Sequence, residues 1–460
     1  MTSSSGSPER LVVIGGDAAG MSAASQARRR RPVGDLRIVA FEKGRHVSYS
    51  ACGIPYLVAG DVSSPDDLVA RTPEQFRELD IDLRLASEVT AISLDSRSVT
   101  VASQGSSYTE PFDQLVIATG GTPARPDVPG ADAAGIHGVQ TLEDGIRLLS
   151  YLDRHNPRRA VVVGAGYIGL EMAEAMISRG LEVALIDAAD QPMRTLDPDM
   201  ASLVSDALRG LGVDLRLSTP FTGFASSGGR VTGVHVPDGT LPADIVILGL
   251  GTRPNSALAA DAGITVGATG GIVVDRRLRT SAEGVWAAGD CVEVFHRVSQ
   301  RPAAIALGTH ANKQGRAAGI NIGGGYATFP GVVGTAVSKI CSHEVARTGL
   351  TTAEALSAGF ATFSTVTEST TRAGYYPGAL PITTKIIAER TTGRLLGAQI
   401  VGQEGAAKRI DALAVALWHG MTVEEMTGLD LSYAPPFAPV WDPVLIAARR
   451  AAEQLATLRP

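Results

Sequence analysis

Two glycine-rich turns contain the residues best suited to bind phosphate. The first covers residues 15–20 as Gly-Gly-Asp-Ala-Ala-Gly, and the second covers residues 164–169 as Gly-Ala-Gly-Tyr-Ile-Gly. Such glycines leave backbone N–H groups open to the pyrophosphate of a dinucleotide, because no side chain blocks its approach. The second turn matches G-x-G-x-x-G completely, whereas Asp17 stands at the middle glycine position of the first.

A carboxylate follows each turn after a similar interval. Glu42 and Asp187 stand about 20 positions further on, where a dinucleotide-binding unit places the acid that accepts hydrogen bonds from ribose hydroxyls. An arginine directly after the second carboxylate would favour NADPH, but residues 187–190 read Asp-Ala-Ala-Asp. The sequence therefore favours NADH, with NADPH as the alternative if Arg194 reaches the site.

The elements that must position these residues recur in the same order. An apolar strand, Leu11–Ile14 or Ala160–Val163, leads into each turn, a helix-compatible stretch follows, and a second apolar strand ends at each carboxylate. This order predicts two βαβ units of the Rossmann type, with a helix beginning at each glycine turn. Beyond about residue 330, alternating stretches followed by a helical pattern predict a third, α+β domain.

Composition narrows the class of protein. The chain has 460 residues, which suggests roughly three domains, and its 44% apolar and 19% charged residues favour large cores over disorder. A net charge of −6 gives no indication of a nucleic-acid or anionic-membrane partner. Three cysteines exclude a disulfide scaffold, and they are not spaced for a zinc site. The polar start Met1–Arg10 predicts no secretory signal, and no apolar run reaches the roughly 18 residues of a membrane span, so we expect a cytoplasmic protein.

Three further segments resemble motifs of flavoproteins that bind two dinucleotides. Thr280–Asp290 resembles their second flavin fingerprint, and Ile117–Gly121 and Gly251–Asn255 resemble the two crossovers between their FAD and NAD domains. The resemblance implies that the first unit binds FAD, with Asp290 on the ribityl chain, and that the second binds NAD(P)H. The cofactor-binding residues expected on this basis are Gly15, Asp17, Ala18, Ala19, Gly20, Glu42, Lys43, Ser48, Ala118, Thr119, Gly120, Gly164, Gly166, Tyr167, Ile168, Gly169, Asp187, Gly251, Gly289 and Asp290.

A solitary cysteine follows the first carboxylate. The segment Ser48–Tyr56 contains Cys52 but no second cysteine five positions later, where Leu57 stands. This arrangement resembles the single-cysteine branch of the pyridine nucleotide-disulfide oxidoreductases, which includes CoA-disulfide reductases, NADH-dependent persulfide reductases, and NADH oxidases and peroxidases. The oxidases and peroxidases carry a histidine at the position of Ala18. The local contexts of Tyr375 and Tyr433 instead resemble those of the CoA-disulfide reductases.

The resemblance implies an α/β fold in four segments. They are residues 1–120 and 266–325 for the FAD-binding domain, 121–265 for the NAD(P)H-binding domain, and 326–460 for a C-terminal dimerisation domain. It also implies a homodimer, because the two tyrosines must reach the cysteine of a second subunit.

The implied activity is an electron relay from NADH through FAD and Cys52 to a small disulfide or persulfide, with CoA disulfide favoured. We expect Cys52 to lie at the start of a helix whose N–H dipoles lower its pKa. Tyr433 of the partner subunit would protonate the departing thiolate, and Tyr375 would position it. Cys291 and Cys341 have no comparable setting and are expected to be structural. The residues expected to contact the substrate are Gln26, Arg28, Ser48, Arg71 and Tyr376.

The sequence leaves several interpretations of these residues and of the function open. The arginine run that includes Arg28 is also typical of a solvated helix face. Asp17 could disfavour a pyrophosphate unless its carboxylate points away, and Phe437 occupies a position where one reductase has a further tyrosine. Three other functions remain: an NADH oxidase or peroxidase that cycles Cys52 through a sulfenic acid, a low-turnover flavin-bound redox sensor, and a reductase for a ferredoxin-like protein.

Overall fold

The structure is a computed structural model that describes residues 7–459. Part of the polar segment Met1–Arg10 therefore lies outside the described residues. The strands are β1 Glu9–Ile14, β2 Leu36–Phe41, β3 Ile81–Arg84, β4 Ser87–Ser93, β5 Ser98–Ser103, β6 Ser106–Pro111, β7 Gln114–Ile117, β8 Gly121–Pro123, β9 Ile136–Gly138, β10 Arg159–Val163, β11 Glu182–Ile186, β12 Asp214–Arg216, β13 Gly223–Ser227, β14 Arg230–Val236, β15 Gly239–Pro242, β16 Ile245–Leu248, β17 Thr252–Pro254, β18 Val285–Ala287, β19 Val294–His296, β20 Arg301–Ala303, β21 Ala336–Ile340, β22 His343–Gly349, β23 Thr362–Thr370, β24 Pro381–Glu389 and β25 Leu395–Gly402. The helices are α1 Ala18–Arg28, α2 Ile54–Ala59, α3 Pro73–Arg77, α4 Leu142–His155, α5 Tyr167–Ser178, α6 Pro198–Gly210, α7 Ala257–Asp261, α8 Gly308–Ile322, α9 Thr352–Ser357, α10 Ile410–His419, α11 Val423–Met426 and α12 Pro443–Leu458.

The chain forms two five-stranded parallel sheets. The first has the order β18-β7-β1-β2-β3, and the second has the order β12-β11-β10-β16-β9. In each sheet the central strand, β1 or β10, pairs in parallel with a neighbour on both sides. Their buried apolar residues are typical of strands covered on both faces. The two predicted Rossmann units are confirmed, and each glycine turn follows the central strand of its sheet, where such folds bind ligands.

The chain returns to the first sheet after completing the second. Strand β18 pairs with β7, and α8 then packs on α1. Glycines allow this close contact, since a Cβ on Gly315 would lie 2.1 Å from the carbonyl oxygen of Ala19 and one on Gly319 would lie 2.3 Å from that of Ala23. The outgoing and returning connections also pair, β8 with β17. The segments Ile117–Gly121 and Gly251–Asn255 therefore meet.

The third domain is an antiparallel sheet with helices against it. Its strand order is β21-β22-β25-β24-β23, and α10 and α12 pack on the sheet. Strand β25 and the inner face of α10 share one apolar core, in which Leu395, Ile400 and Leu413 are fully buried. This arrangement confirms the predicted α+β domain.

Smaller antiparallel sheets complete the chain. They are β4-β5-β6, β13-β14-β15 and β19-β20. Within residues 7–459, no helix combines the length and apolar character that crossing a bilayer requires. The same residues contain no group of three or more His, Cys, Asp or Glu side chains arranged to hold a metal ion.

Candidate active site

The first glycine turn has no room for side chains at its ends. Gly15 adopts φ +112°, and an added Cβ there would lie 2.1 Å from the carbonyl oxygen of Ala118. A Cβ on Gly20 would lie 1.9 Å from the carbonyl oxygen of Gly15. Helix α1 begins directly after the turn, at Ala18. The turn therefore presents a helix N-terminus that suits the phosphates of a dinucleotide.

The carboxylate of Glu42 is held over this turn. Its Oε2 accepts a hydrogen bond from the N–H of Gly16 at 2.7 Å, and its Oε1 accepts one from Gly44 at 2.7 Å. These bonds fix the acid at the end of β2, where a ribose is expected beside the pyrophosphate. Lys43, the next residue, is exposed.

The second glycine turn repeats the arrangement. Gly164 adopts φ +101°, and a Cβ on Gly169 would lie 1.8 Å from the carbonyl oxygen of Gly164. Helix α5 begins at Tyr167, so Tyr167 and Ile168 form its first turn. The carboxylate of Asp187 accepts hydrogen bonds from the N–H groups of Ala165 at 2.6 Å and Ala189 at 2.8 Å. Both turns thus combine tight glycines, a helix N-terminus and a fixed acid, which are features of a dinucleotide-binding unit.

The crossover segments and Asp290 complete the first cradle, the dinucleotide-binding cleft formed by residues 15–20 and Glu42. The hydroxyl of Thr119 donates to the carbonyl oxygen of Asn255 at 2.6 Å, and the N–H of Asn255 donates to Gly120 at 2.9 Å. The N–H of Gly289 donates to Gln314 at 2.6 Å, which ties the segment after β18 to α8. Burial raises the pKa of Asp290.

Asp17 lies among other acids within this cradle. Burial is the main reason why the pKa of its carboxyl is raised to about 6, and the charges of Glu42 and Asp290 act in the same direction. Hydrogen bonds from the N–H groups of Tyr49 and Ala18 oppose the shift. Burial and the two neighbouring acids therefore oppose ionisation of the Asp17 carboxyl.

Cys52 lies in a short turn between the two dinucleotide-binding units. It belongs to a 3₁₀ turn, Ala51–Gly53, that leads directly into α2. Helix α2 packs against the second unit, because Leu57 shares a buried cluster with Leu170 of α5. The side chain of Arg179, at the end of α5, also donates to the carbonyl oxygen of Val58 at 2.6 Å. The loop from the first unit is thereby anchored on the NAD-type unit.

The charges around Cys52 correct one expectation. The pKa of Cys52 is raised. Partial burial of the thiol is the largest cause, and the negative charges of Glu171 and Asp290 act in the same direction. Cys52 does stand at the start of a helix, but α2 has six residues, and its dipole does not outweigh burial and two carboxylates. Glu171 belongs to α5 and accepts a hydrogen bond from the hydroxyl of Ser338 at 2.9 Å. Carboxylates from both dinucleotide-binding units therefore raise the pKa of the Cys52 thiol.

The other two cysteines have different environments. Cys291 is fully buried, and its thiol donates to the carbonyl oxygen of Ala288 at 3.3 Å. Cys341 is half-buried in the hairpin between β21 and β22, where it adopts φ +53°. Cys52 is the exposed cysteine of the three.

A cavity of about 400 Å³ opens beside the first turn. Three of the expected substrate residues, Gln26, Ser48 and Arg71, line it together with Ala18. Ser48 adopts φ +51° and is fixed there, since its N–H donates to Gly16 at 3.0 Å. The remaining lining residues are Met21, Ser22, Ser25, Arg29, Ala70, Phe76, Asn312 and Arg316.

Arg28, which was expected to contact the substrate, is not among the residues that line this cavity. Its guanidinium donates to the carbonyl oxygens of Arg31 and Asp80, both at 3.1 Å. Arg29, the next residue, lines the cavity. Arg316, by contrast, arrives from α8, about 290 residues later, and sequence reasoning missed it.

The two tyrosines meet on the surface of the third domain. Tyr375 is 77% exposed and Tyr433 is 46% exposed, and a hydrogen bond with Tyr433 raises the pKa of Tyr375. Arg409 ties their loops together, because its guanidinium donates to the carbonyl oxygens of Thr371 at 2.7 Å and Phe437 at 2.8 Å. Within residues 7–459 of one chain, no side-chain hydrogen bond joins either tyrosine to Cys52. Tyr376 is half-buried next to the pair.

Comparisons with known proteins cover nearly the whole chain. Residues 9–315 match the family model described as pyridine nucleotide-disulphide oxidoreductase, and residues 335–443 match the dimerisation domain of that family. A curated relative from Pyrococcus horikoshii, an NAD(P)H coenzyme A polysulfide/persulfide reductase, is 39% identical over 96% of this chain and 98% of its own length. An NADH oxidase from Methanocaldococcus jannaschii is 38% identical over 97% of this chain and 99% of its own length. The structure of an NAD-dependent persulfide reductase from A. fulgidus superposes with a TM-score of 0.94 and 40% identity, over 98% of this chain and 84% of that one. The chain therefore belongs to the pyridine nucleotide-disulphide oxidoreductase family.

Proposed function

We propose that the protein uses NADH, FAD and Cys52 to reduce a small disulfide or persulfide, with CoA disulfide as the favoured substrate. The observation that carries this proposal is the position of Cys52. It is an exposed, solitary thiol on which Asp290 of the first unit and Glu171 of the second both act. A sulfur between two dinucleotide cradles is placed to exchange electrons with a cofactor that both units approach.

The cofactors follow from the two cradles. The family uses FAD and NAD(P)H, and the first cradle, with Glu42 and Asp290, suits FAD. Asp187 of the second cradle is fixed by two backbone N–H groups, so its charge would repel a 2′-phosphate, which favours NADH. When bound, FAD supplies the chemistry that converts a two-electron donor into a reductant for sulfur.

In the proposed reaction, the residues of this chain carry out thiol–disulfide exchange. The thiolate of Cys52 attacks one sulfur of the substrate, a new S–S bond forms, and the other half leaves as a thiolate that needs a proton. Two electrons from NADH, delivered by way of the flavin, would then cleave the mixed disulfide, which restores the thiolate of Cys52 and releases the second half of the substrate as a thiolate. Burial, Glu171 and Asp290 raise the pKa of Cys52, so the thiolate that attacks the substrate becomes more abundant as the pH rises.

The cavity supports a phosphorylated thiol as the substrate. Arg29, Arg71 and Arg316 bring three cations to a space of about 400 Å³ that also touches Ser48, close to the cysteine loop. Arginine is well suited to phosphate because its planar guanidinium donates two parallel hydrogen bonds. The curated Pyrococcus horikoshii relative is named for coenzyme A, a thiol that carries phosphates.

The exposed tyrosines support a homodimer. Tyr375 and Tyr433 form a pair that no side-chain hydrogen bond within residues 7–459 joins to Cys52, and they lie in the segment that matches the dimerisation domain. In a dimer, Tyr433 of the partner subunit would protonate the leaving thiolate. A working free thiol also requires a reducing compartment, so we infer a cytoplasmic location.

The test is NADH oxidation by the purified protein with separate acceptors. CoA disulfide, CoA persulfide, polysulfide and oxygen are compared, with NADPH replacing NADH in a parallel series. We expect the highest kcat/KM with CoA disulfide and NADH, and loss of at least about 10³-fold in Cys52→Ser. Cys341→Ser serves as the matched control and keeps the activity. Equal rates for wild type and Cys52→Ser would refute the proposal.

An NADH oxidase is the second candidate, because the Methanocaldococcus jannaschii relative carries that name. Ala18, in place of the histidine expected of oxidases, offers no side chain to handle peroxide at a sulfenic acid. Oxygen consumption that matches the rate with CoA disulfide, and that requires Cys52, would favour this function. Stoichiometric reduction by NADH without acceleration by any acceptor would instead support a redox sensor.

A further inference from the structure

A buried lysine joins the second dinucleotide-binding unit to the third domain. The side chain of Lys385, in β24, is 6% exposed, and its Nζ lies 2.9 Å from Oδ2 of Asp197 and 2.7 Å from Oδ2 of Asp199. The side chain of Asp197 is 5% exposed, whereas that of Asp199 is half-exposed. Asp197 directly precedes α6 of the second unit, and Asp199 lies in the first turn of that helix. The ion cluster of Lys385, Asp197 and Asp199 therefore crosses the contact between the two domains.

Further hydrogen bonds fix Asp197 on the third domain. Its carboxylate accepts one from the N–H of Thr352 at 3.0 Å and one from the hydroxyl of the same residue at 2.7 Å. Its own N–H donates to Oε1 of Gln399 at 2.8 Å. Gln399 of β25 stands directly opposite Lys385 of β24, so both side chains leave the sheet on the same face. A buried carboxylate is costly unless it is paired and hydrogen-bonded, and Asp197 meets both conditions.

A contact of this kind can specify one arrangement of two domains. The desolvation of two buried charges offsets much of their attraction, but the loss of one partner leaves the other charge buried and unpaired. Helix α6 also packs on β25. An apolar contact tolerates small shifts of such a helix, whereas Nζ of Lys385 must stay within reach of two carboxylates. The ion cluster therefore sets the position of Asp197 relative to the sheet of the third domain.

Asp197 is also the last residue of the loop that follows the nucleotide-binding acid. This loop, residues 188–197, begins after Asp187, whose carboxylate accepts a hydrogen bond from the N–H of Ala165 in the second glycine turn. Within the loop, the N–H of Met193 donates to the carbonyl oxygen of Ala165 at 2.8 Å. One end of the loop is thus bonded to the glycine turn, and the other end is bonded to the third domain.

We propose that Lys385 is a positioning residue for the second nucleotide: by holding Asp197 on the third domain, it fixes the loop 188–197 against the second glycine turn. The proposal rests on the proposed NADH site at that turn and adds a determinant from another domain. Without Lys385 the far end of the loop is released, so Asp187 and the turn spend less time in the arrangement that binds NADH. The Cys52 loop is anchored separately, by the packing of α2 on α5.

The experiment compares NAD⁺ binding by holoprotein variants. NAD⁺ does not reduce the flavin, and isothermal titration calorimetry gives its Kd without any assay of activity. The main variant is Lys385→Met, which replaces the ammonium with an apolar side chain of similar length. Lys339→Met is the matched control, because Nζ of Lys339 also joins the third domain to the second unit, 2.9 Å from Glu174 of α5, but its side chain is 51% exposed. Thr352→Val keeps the ion cluster and removes one donor to Asp197.

Lys385→Met is expected to raise the Kd for NAD⁺ and the KM for NADH by about fivefold or more, while kcat stays within about twofold. A general loss of folded protein would instead lower kcat and leave KM unchanged. Hydrogen exchange of the nucleotide-free protein should become faster in residues 188–197 and stay unchanged in β1 and α1. Thr352→Val should raise the Kd by a smaller factor, about twofold, and it decides the test if Lys385→Met does not fold.

An unchanged Kd in folded Lys385→Met, or in Thr352→Val where Lys385→Met does not fold, would overturn the inference and leave the proposed function intact. Equal increases in Lys385→Met and Lys339→Met would also overturn it, because the effect would then not depend on the buried cluster. A wild-type protein that binds neither NAD⁺ nor NADH would overturn both the inference and the proposed function.

Discussion

At the scale of single residues, the thiol of Cys52 is surrounded by acids rather than cations. Burial, Glu171 and Asp290 all raise its pKa, so its thiolate fraction grows as the pH rises. The position of Cys52 beside the flavin-binding unit could be expected from its sequence context. The approach of Glu171 could not, because it depends on how α2 packs on α5, a contact between segments more than 100 residues apart.

Glu171→Gln is predicted to lower the pKa of Cys52, because it removes a negative charge that opposes the thiolate. At neutral pH we therefore expect faster alkylation of Cys52 by iodoacetamide in this variant than in wild type. Mass spectrometry of the modified peptide reports the rate separately for each cysteine. Glu174→Gln is the control, since Glu174 acts on Cys341. An unchanged Cys52 rate in Glu171→Gln would show that Glu171 does not set this pKa.

At the scale of helices and strands, only part of the lining of the proposed substrate cavity could be predicted from the sequence. On its α1 side, Gln26 was expected from the sequence and Arg29 was not. Its α8 face, with Asn312 and Arg316, depends on the tight packing of α8 on α1. Gly315 and Gly319 make that packing possible, but a glycine inside a helix does not reveal which helix it contacts.

Gly315→Ala is predicted to destabilise the protein by about 1–3 kcal/mol or more, because the new methyl group would lie 2.1 Å from the carbonyl oxygen of Ala19. The shift of α1 should also weaken FAD retention, which dialysis and absorbance measure. Gly308→Ala lies in the same helix with open space around it and should change the unfolding free energy by less than about 0.5 kcal/mol. Equal denaturant midpoints for the two variants would contradict this account of the helix contact.

At the scale of the whole molecule, the third domain exposes several large apolar side chains. Tyr375, Phe437, Val440 and Trp441 are 77%, 76%, 66% and 48% exposed, a concentration of apolar surface that isolated subunits rarely present. The fold class and the two Rossmann units were predictable from repeated motifs. The packing of the tyrosine loops through Arg409 was not, because it joins three separate segments.

Phe437→Glu is predicted to convert the proposed dimer into monomers, because the interface would have to bury an unpaired charge. Analytical ultracentrifugation measures the change, and disulfide reduction should fall with dissociation. Tyr326→Glu provides the control, since Tyr326 is also 76% exposed but precedes β21, and its ring stacks on Arg277 of the first unit. A dimer that survives Phe437→Glu would place the subunit interface elsewhere.

Tyr433→Phe separates assembly from chemistry. It removes one hydroxyl and keeps the aromatic ring, so we expect an intact dimer with kcat lowered by about 10- to 100-fold, as for loss of a proton donor. A normal kcat in a dimeric Tyr433→Phe protein would remove this residue from the proposed relay.

The most direct test of the central claim is the intact mass of the protein after a single exposure to CoA disulfide. The account predicts one CoA adduct per chain, located on the peptide that contains Cys52, released by one equivalent of NADH and absent from Cys52→Ser. An adduct on Cys341 instead, or reduction of CoA disulfide that proceeds in Cys52→Ser, would contradict the account.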